Sequence, residues 1–191
     1  MLVLASASPR RQEILRNAGI AFVVEPSHVP EIPQDGESPK TYAERLARDK
    51  AVEVSKHHPE DFVLGADTVV VVNDTMLEKP TDAKDAARML KLLSGKTHEV
   101  TTGVCLVAPQ LRTENRELRT AAETTLVTMA ALTDADIAAY IATGEPMDKA
   151  GAYAIQGIAS RWISRIEGDY FNVVGLPVAL VYRMLREGGA W

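Results

Sequence analysis

Short apolar runs alternate with helix-period segments along this chain. In the first half the order is β-α-β-α-β-α, and a longer strand-rich stretch follows Ser94. Apolar runs bounded by glycine or proline predict six strands: Leu2–Ala5, Ala21–Val24, Phe62–Val72, His98–Pro109, Glu117–Ala130 and Ser160–Ile166. Because strands and helices alternate, we expect an α/β fold.

Five segments with apolar residues at helical spacing predict helices. They are Pro9–Ala18, Pro39–His57, Asp82–Leu93, Asp134–Thr143 and Pro177–Glu187. Ser8 and Ser38 precede the first two; a serine side chain caps a helix N-terminus, and the proline that follows each is tolerated at the first helical position. The polar segment 110–116 is predicted to be the tip of a long hairpin and not a linker. We therefore expect one domain spanning residues 1–191.

The composition is that of an ordinary globular protein. Of 191 residues, 46% are hydrophobic and 25% are charged, which is enough to bury a core without disulfide or metal staples. The single cysteine, Cys105, excludes a disulfide framework and fits a reducing cytoplasm. No apolar stretch approaches the roughly 20 residues that span a bilayer, and no basic region precedes the N-terminal apolar residues. We expect a cytoplasmic protein without a membrane anchor.

The net charge narrows the class of ligand. A formal charge of −5 argues against nucleic acid, because binding a phosphate backbone by bulk charge needs an excess of Lys and Arg over a wide surface. A small anionic ligand needs only a local basic cluster. We therefore expect the site where a few cations meet a turn or a helix start.

The segment 5–11, Ala-Ser-Ala-Ser-Pro-Arg-Arg, is the first candidate. It leads from a strand end into a capped helix whose first turn carries Arg10 and Arg11. Cations at the positive end of a helix dipole are unfavourable by about 0.3–1 kcal/mol each, so the arrangement favours a bound anion. Phosphate oxygens would meet free N–H groups, the Ser8 hydroxyl and both guanidinium groups. Two arginines that point into water are an equally good interpretation of this segment alone.

Two charged residues are predicted at apolar positions. Lys50 falls near the middle of the apolar face of the second helix, so it either extends to the rim or reaches a ligand between helix and sheet. Asp67 interrupts a buried strand, where a carboxylate is costly unless it is paired or binds a metal. Gly65 projects to the same face and is expected to leave open space beside Asp67. We favour a functional role for Asp67 over a salt bridge to Lys or Arg.

Three further candidates are weak when each is taken alone. Glu31 lies in a loop flanked by prolines, Lys79 precedes Pro80, and both would more often be solvated loop charges. Gln156 lies in a glycine-containing stretch, and its amide can both donate and accept, as recognition of a pyrimidine edge requires. Without other evidence a turn or capping role for Gln156 would be preferred.

Several common motifs are missing from the sequence. There is no G-x-G-x-x-G after a strand, no G-x-x-x-x-G-K-[ST] and no G-x-S-x-G elbow. Dinucleotide binding, P-loop hydrolysis and the α/β-hydrolase mechanism therefore lose support. The four histidines do not have the spacing of a metal pair.

Taken together, these segments resemble the Maf family of nucleotide pyrophosphatases, also described as septum formation inhibitors. The resemblance covers nearly the whole chain and is carried by segments 5–11, 65–70, 79–80, 93–103, 149–157 and 172–177. It implies a mixed, twisted central sheet flanked by helices, two lobes around a deep cleft, a fold related to the inosine triphosphate pyrophosphatases, and frequent homodimers.

The Lys-Ala-Gly-Ala-Tyr segment with a downstream Ile-Gln-Gly is similar to the branch of the family that acts on dTTP and UTP. Arg10, Thr68 and Gln156 occupy the positions that the family associates with this specificity. Ala154 departs from the pattern, because this branch usually has glycine there, and the change affects the loop expected around the base.

The resemblance implies hydrolysis of dTTP and UTP to the monophosphate and pyrophosphate, which would keep modified nucleotides out of nucleic acids. In this hypothesis Glu31 and Asp67 hold Mg²⁺ or Mn²⁺, and Asp67 also activates the attacking water. The expected contacts to the triphosphate come from Ser8, Arg10, Arg11, Lys50 and Lys79, while Thr68 and Gln156 contact the base. Two alternatives remain: the same chemistry on 7-methyl-GTP or other modified nucleotides, and a nucleotide-binding regulator of septum formation or cell division.

Overall fold

The structure is a computed structural model that describes residues 1–109 and 117–190. Within these residues seven strands form one mixed sheet in the order β2-β1-β3-β5-β6-β7, and β4 pairs with β3. The strands are β1 (Leu2–Leu4), β2 (Val23–Val24), β3 (Phe62–Val72), β4 (Thr75–Leu77), β5 (Thr97–Val107), β6 (Leu118–Met129) and β7 (Ile163–Glu167). The predicted hairpin tip, residues 110–116, lies outside the described residues.

The sheet is parallel on one side and antiparallel on the other. β1 pairs in parallel with β2 and with β3, whereas β4 and β7 run antiparallel to their neighbours. β5 and β6 also run in opposite directions, because hydrogen bonds join Thr97 to Thr128 and Thr101 to Thr124. The predicted mixed sheet flanked by helices is therefore confirmed.

The first two helices begin where their capping serines predict, and six helices in all lie in the described residues. They are α1 (Pro9–Asn17), α2 (Pro39–Ser55), α3 (Ala83–Leu93), α4 (Asp134–Ala142), α5 (Tyr170–Val174) and α6 (Val178–Glu187). Ser8 and Ser38 each accept a hydrogen bond from the backbone N–H three residues later, as expected of N-caps. Three short 3₁₀ turns, Glu145–Asp148, Ala150–Ala152 and Ile158–Trp162, follow α4.

Two of the strand predictions are partly wrong. The segment Ser160–Ile166 begins as a 3₁₀ turn that runs on from Gly157, and only Ile163–Glu167 is extended. The strand predicted over Ala21–Val24 is reduced to its last two residues. β4 was not predicted: Asn73 and Asp74 adopt positive φ of 48° and 58° and return the chain in a two-residue hairpin. The short helix α5 was also not predicted.

The chain divides into two compact units. The first contains the described residues of Met1–Asp67, Thr102–Glu123 and Gly175–Trp191, and the second those of Thr68–Thr101 and Thr124–Val174. A core cluster in the first unit includes Val3, Ala47, Val63 and Cys105. A core cluster in the second unit includes Val70, Leu90 and Tyr140 among its buried residues.

None of the helices in the described parts of the chain is long and apolar enough to cross a membrane.

Candidate active site

The loop after β1 leads directly into the capped start of α1. Ser8 Oγ accepts the backbone N–H of Arg11 at 3.4 Å, and the backbone N–H of Ser8 donates to Ser6 Oγ at 3.2 Å. The first turn contains no acidic residue. Ala5 N donates to Leu64 O at 2.8 Å, so this loop lies beside the part of β3 that continues into Asp67. The positive end of α1 therefore lies next to the predicted catalytic strand.

Arg11 points into the protein rather than into water. Its Nε donates to Gly175 O at 2.8 Å, and one terminal nitrogen donates to Ser6 Oγ at 3.1 Å and to Ala66 O at 2.9 Å. Burial lowers the pKa of Arg11, and the negative charge of Asp67 opposes that shift. Arg11 thus joins the end of β1, the middle of β3 and a residue shortly before α6. Contact between Arg11 and a phosphate stays a prediction.

Lys50 brings the two predicted acidic residues together. Its side chain lies between α2 and β3, and the residue is only 8% exposed. The ammonium group donates to Asp67 Oδ1 at 2.7 Å and also to Glu31 Oε1. The alternative in which the Lys50 side chain extends to the rim of the helix face is therefore wrong. The salt bridge that is the alternative to a functional role for Asp67 is present, and the two contacts of the Lys50 ammonium place Glu31, Lys50 and Asp67 in one cluster.

A second contact with α2 holds the loop that carries Glu31. Arg45, one helical turn and one residue before Lys50, donates to Ile32 O at 3.0 Å and forms a two-point ion pair with Glu37. Most of this loop is exposed, so its polar contacts with α2, and not burial, restrict it. Arg45 was not predicted as a site residue, and its position on the more polar side of the helix gave no indication of this role.

The carboxyl group of Asp67 lies in a low-dielectric environment. Burial raises its pKa; Lys50 and Arg11 lower it, and Glu31 adds a smaller upward effect through its like charge. The residue is 7% exposed. Asp67 is therefore a buried carboxyl group with two cations near it and a raised affinity for a proton, which are properties of a general base.

Gly65 does not leave open space, so that prediction was wrong. A Cβ at Gly65 would lie 2.0 Å from Ala47 O and 2.8 Å from Ala51 N. The backbone of α2 fills the position where a side chain would be. Gly103, on the neighbouring strand β5, has the same function, because its Cβ would lie 2.4 Å from Ala43 O. Two glycines thus allow α2 to approach the sheet closely enough for Lys50 to reach Asp67.

Of the other four predicted site residues, one lies in the first unit and three lie in the second. Arg10 is half-buried in the first turn of α1. Three belong to the second unit: Thr68, half-buried on β3, Lys79, exposed after β4, and Gln156, exposed between two 3₁₀ turns. The predicted roles of these four residues in substrate binding stay predictions.

The donor set fits a divalent cation. Glu31 and Asp67 come from a loop and a strand, yet both carboxylates meet the Lys50 ammonium. Mg²⁺ in proteins is commonly bound by one or two carboxylates, with substrate phosphates and water as the other ligands. No group of three or more His, Cys, Asp or Glu side chains in the described residues has the arrangement of a metal site. Contact between Glu31, Asp67 and a metal ion stays a prediction.

The chain is similar to known proteins over nearly its whole length. A family model described as Maf-like protein matches residues 1–188. A protein of Koribacter versatilis named dTTP/UTP pyrophosphatase is 62% identical over 188 residues, which are 98% of this chain and 94% of the relative. A protein of the same name from Geobacter sulfurreducens is 50% identical over 189 residues, which are 99% of this chain and 97% of that one.

A solved structure supports the fold. The Staphylococcus aureus Ham1 protein superposes with a TM-score of 0.51 and 13% sequence identity, covering 97% of this chain and 98% of that one. At this identity the likeness concerns the fold alone. Because the family model and the two relatives match over nearly the full length, the chain belongs to the Maf-like protein family.

Proposed function

We propose that this protein is a nucleoside triphosphate pyrophosphatase that hydrolyses dTTP and UTP to the monophosphate and pyrophosphate. The observation that carries the proposal is Asp67, a carboxyl group buried on β3 that binds Lys50 and shares that ammonium with Glu31. The names of the relatives from Koribacter versatilis and Geobacter sulfurreducens support the choice of nucleotide.

Asp67 acts as the general base in this proposal. Water attacks the α-phosphorus, its oxygen forms the new P–O bond, and the bond from that phosphorus to the bridging oxygen breaks, so that pyrophosphate leaves. Asp67 takes the proton that the water loses. Burial favours this step because it raises the pKa of the carboxyl group, and a general base is most effective when its pKa lies near the working pH.

Cationic and neutral donors bind the triphosphate. Lys50 is already directed at Asp67, and Ser8 lies at the N-terminus of α1, where backbone N–H groups favour an anion. Arg10 and Lys79 are assigned to the same substrate by the resemblance. Arg11 contributes positive charge close to Asp67, while its hydrogen bonds to Ala66 and Gly175 join β3 to the segment before α6.

Glu31 and Asp67 would hold a divalent cation, Mg²⁺ or Mn²⁺. Such an ion neutralises phosphate charge and acts as a Lewis acid when it is bound. The two carboxylates meet at one ammonium, so the chain already supplies hard oxygen donors at a common point. Thr68 and Gln156 are assigned to the base. The amide of Gln156 can donate to one atom of a pyrimidine edge and accept from the next.

We also propose that the activity is cytoplasmic. Cys105 is a buried free thiol in the core of the first unit. It is the single cysteine of the sequence, so the chain has no disulfide framework of the kind common in secreted proteins, and this supports the proposal.

The proposal is tested by pyrophosphate release from dTTP, UTP, CTP, dCTP, GTP, 7-methyl-GTP and ATP with Mg²⁺ or Mn²⁺. We expect preferential turnover of dTTP and UTP, and we expect Asp67→Asn to remain folded and lose turnover. Glu60→Gln, a change of the same kind at an exposed acid, serves as the matched control. Activity near the wild-type level in Asp67→Asn would remove Asp67 from the mechanism. Preference for 7-methyl-GTP would keep the chemistry and reject the base assignment, and no turnover of any nucleotide would favour the binding regulator.

A further inference from the structure

The loop that carries Gln156 is a tight turn with one exposed long side chain. It lies between the 3₁₀ turns Ala150–Ala152 and Ile158–Trp162, and Gly157 N donates to Ala154 O at 3.1 Å. Ala154 and Ile155 are each 5% exposed, whereas Gln156 is exposed. The turn therefore buries the two residues before Gln156 and presents its amide outward.

Two side chains hold the backbone on either side of Gln156. Tyr140 Oη accepts the N–H of Ala154 at 3.1 Å, two residues before it. The Glu145 carboxylate accepts the N–H of Ile158 at 3.0 and 3.2 Å, two residues after it. Tyr140 Oη also donates to Glu145 Oε1 at 2.7 Å, so the two contacts form one continuous unit, which we name the Tyr140–Glu145 bridge.

The bridge is itself held in place. Tyr140 is 1% exposed on α4, and its ring meets the edge of Trp162, at the end of the following 3₁₀ turn, with centroids 5.4 Å apart. Helix α4 starts with a complete capping box of Thr133 and Asp136. The backbone N–H of Glu145 donates to Thr143 Oγ1 at 3.2 Å. The bridge thus joins the turn around Gln156 to a capped helix.

Gly157 provides the room that the bridge needs. A Cβ at this position would lie 2.4 Å from Glu145 Oε1 and 2.5 Å from Oε2. Any side chain would therefore displace the carboxylate that holds Ile158. Glycine at this position therefore leaves the Glu145 carboxylate where it can hold Ile158, and the φ of −100° shows that Gly157 does not need the left-handed conformation.

Discrimination between pyrimidines depends on where the Gln156 amide is placed. Uracil and thymine present a carbonyl acceptor beside an N–H donor, whereas cytosine presents an amino donor beside a ring acceptor. An amide turned by 180° exchanges its donor and acceptor, so a loosely held glutamine can pair with either base. The backbone does not govern this rotation, so the loop contributes to selectivity by fixing the point from which the amide reaches the base edge.

We propose that Tyr140 and Glu145 are positioning residues for base selection, which act by holding the backbone on both sides of Gln156. The inference rests on the proposed function, because it takes Gln156 to contact the base. Neither residue needs to touch the nucleotide. A buried phenol and a carboxylate joined by hydrogen bonds to two loop amides restrict the loop more than apolar packing would, because hydrogen bonds are directional.

The test is the ratio of kcat/KM for UTP to that for CTP in Tyr140→Phe. This change keeps the ring and removes the hydroxyl, so the N–H of Ala154 loses its acceptor. We expect the ratio to fall about tenfold, which corresponds to the loss of one hydrogen bond to a charged network. The fall should come mainly from a higher KM for UTP, and amide exchange in residues 153–159 should become faster.

Tyr170→Phe is the matched control, because Tyr170 lies in the same unit, is 41% exposed and is not part of the bridge. It should leave the ratio and the exchange unchanged. Glu145→Gln is the second variant and should also lower the ratio, since an amide can no longer accept from Ile158 at both of its end atoms. If Tyr140→Phe is unfolded at the assay temperature, the ratio measured in folded Glu145→Gln tests the positioning role in its place.

Gln156→Ala separates the inference from the proposed function. If Gln156→Ala lowers the ratio while folded Tyr140→Phe and Glu145→Gln leave it unchanged, the positioning role is wrong and the assignment of Gln156 stands. If all three leave the ratio unchanged, the assignment of Gln156 to the base is wrong and the positioning role with it. If the wild-type protein hydrolyses no nucleotide, the proposed function fails and base selection has no meaning in this chain.

Discussion

The close contact between α2 and the sheet makes Gly65→Ala the most informative substitution in the first unit. The new methyl group would lie 2.0 Å from Ala47 O, whereas Cβ atoms essentially never approach within 3.0 Å of another heavy atom. The backbone of α2 must therefore retreat by about 1 Å. Lys50 lies on the same helix, so the 2.7 Å contact between its ammonium and Asp67 is lengthened at the same time.

The loss in free energy of unfolding in Gly65→Ala depends on which atoms the new methyl group displaces. Overpacking a core costs about 1–3 kcal/mol, and the upper end applies because the methyl group meets main-chain atoms that cannot rotate away. In a chain of this size 1 kcal/mol corresponds to about 2–4 °C, so we expect the melting temperature to fall by about 6–12 °C. A displacement of about 1 Å at a reacting group can lower kcat/KM by up to about 100-fold.

The assay combines thermal unfolding with dTTP hydrolysis at a temperature where the variant is folded. Gly19→Ala is the control: Gly19 has a φ of +70°, and a methyl group added there would have nothing within 4 Å, so it tests backbone strain without a clash. We expect it to cost about 1–2 kcal/mol and to leave kcat unchanged. A Gly65→Ala variant that melts within about 2 °C of the wild type and keeps its kcat/KM would refute the role of close packing.

Two further predictions concern protons and metal. Burial lowers the pKa of His98 to about 4 from the ordinary 6.5, so only the unfolded chain binds this proton between those pH values. The free energy of unfolding should therefore fall by about 3 kcal/mol on acidification from pH 6.5 to 4. Urea unfolding at the two pH values should show a smaller fall in His98→Gln than in the wild type. For the metal, Glu31→Gln should raise the Mg²⁺ concentration for half-maximal activity by about tenfold or more, because one carboxylate ligand is lost. The same Mg²⁺ requirement in the variant and in Glu60→Gln would contradict a ligand role for Glu31.

The positions of the main strands and helices could be predicted because they depend on local patterns. The eleven-residue strand Phe62–Val72 was predicted at its observed bounds, and the N-caps Ser8 and Ser38 were identified from the serine-proline pairs. Residues close in sequence determine such features through periodicity and capping. The strand β4 was missed because three residues carry too little periodicity, although Asn73 and Asp74 are typical of a hairpin turn.

Family membership could also be inferred from the sequence, and the family model confirmed it. Ordered motifs spread over the whole chain carried that inference, and the role of each site residue came with it as a prediction. For Lys50, in the middle of an apolar helical face, the sequence left the rim and a ligand as alternatives, and in the structure the side chain is buried and paired with two carboxylates. Which partners it finds depends on residues 19 positions before it and 17 after it, and no local pattern contains that information.

Gly65 and Arg11 show most clearly what only the tertiary structure decided. A missing side chain at Gly65 can make room for a ligand or for another backbone, and the sequence is the same in both cases; the packed helix α2 selects the second. Arg11 could point into water or into the protein, and the carbonyl groups of Ala66 and Gly175 determine its direction. The sequence by itself determined which residues are chemically suited to the site. The tertiary structure decided which of them meet, because hydrogen bonds and close packing act over a few ångströms between segments that are distant along the chain.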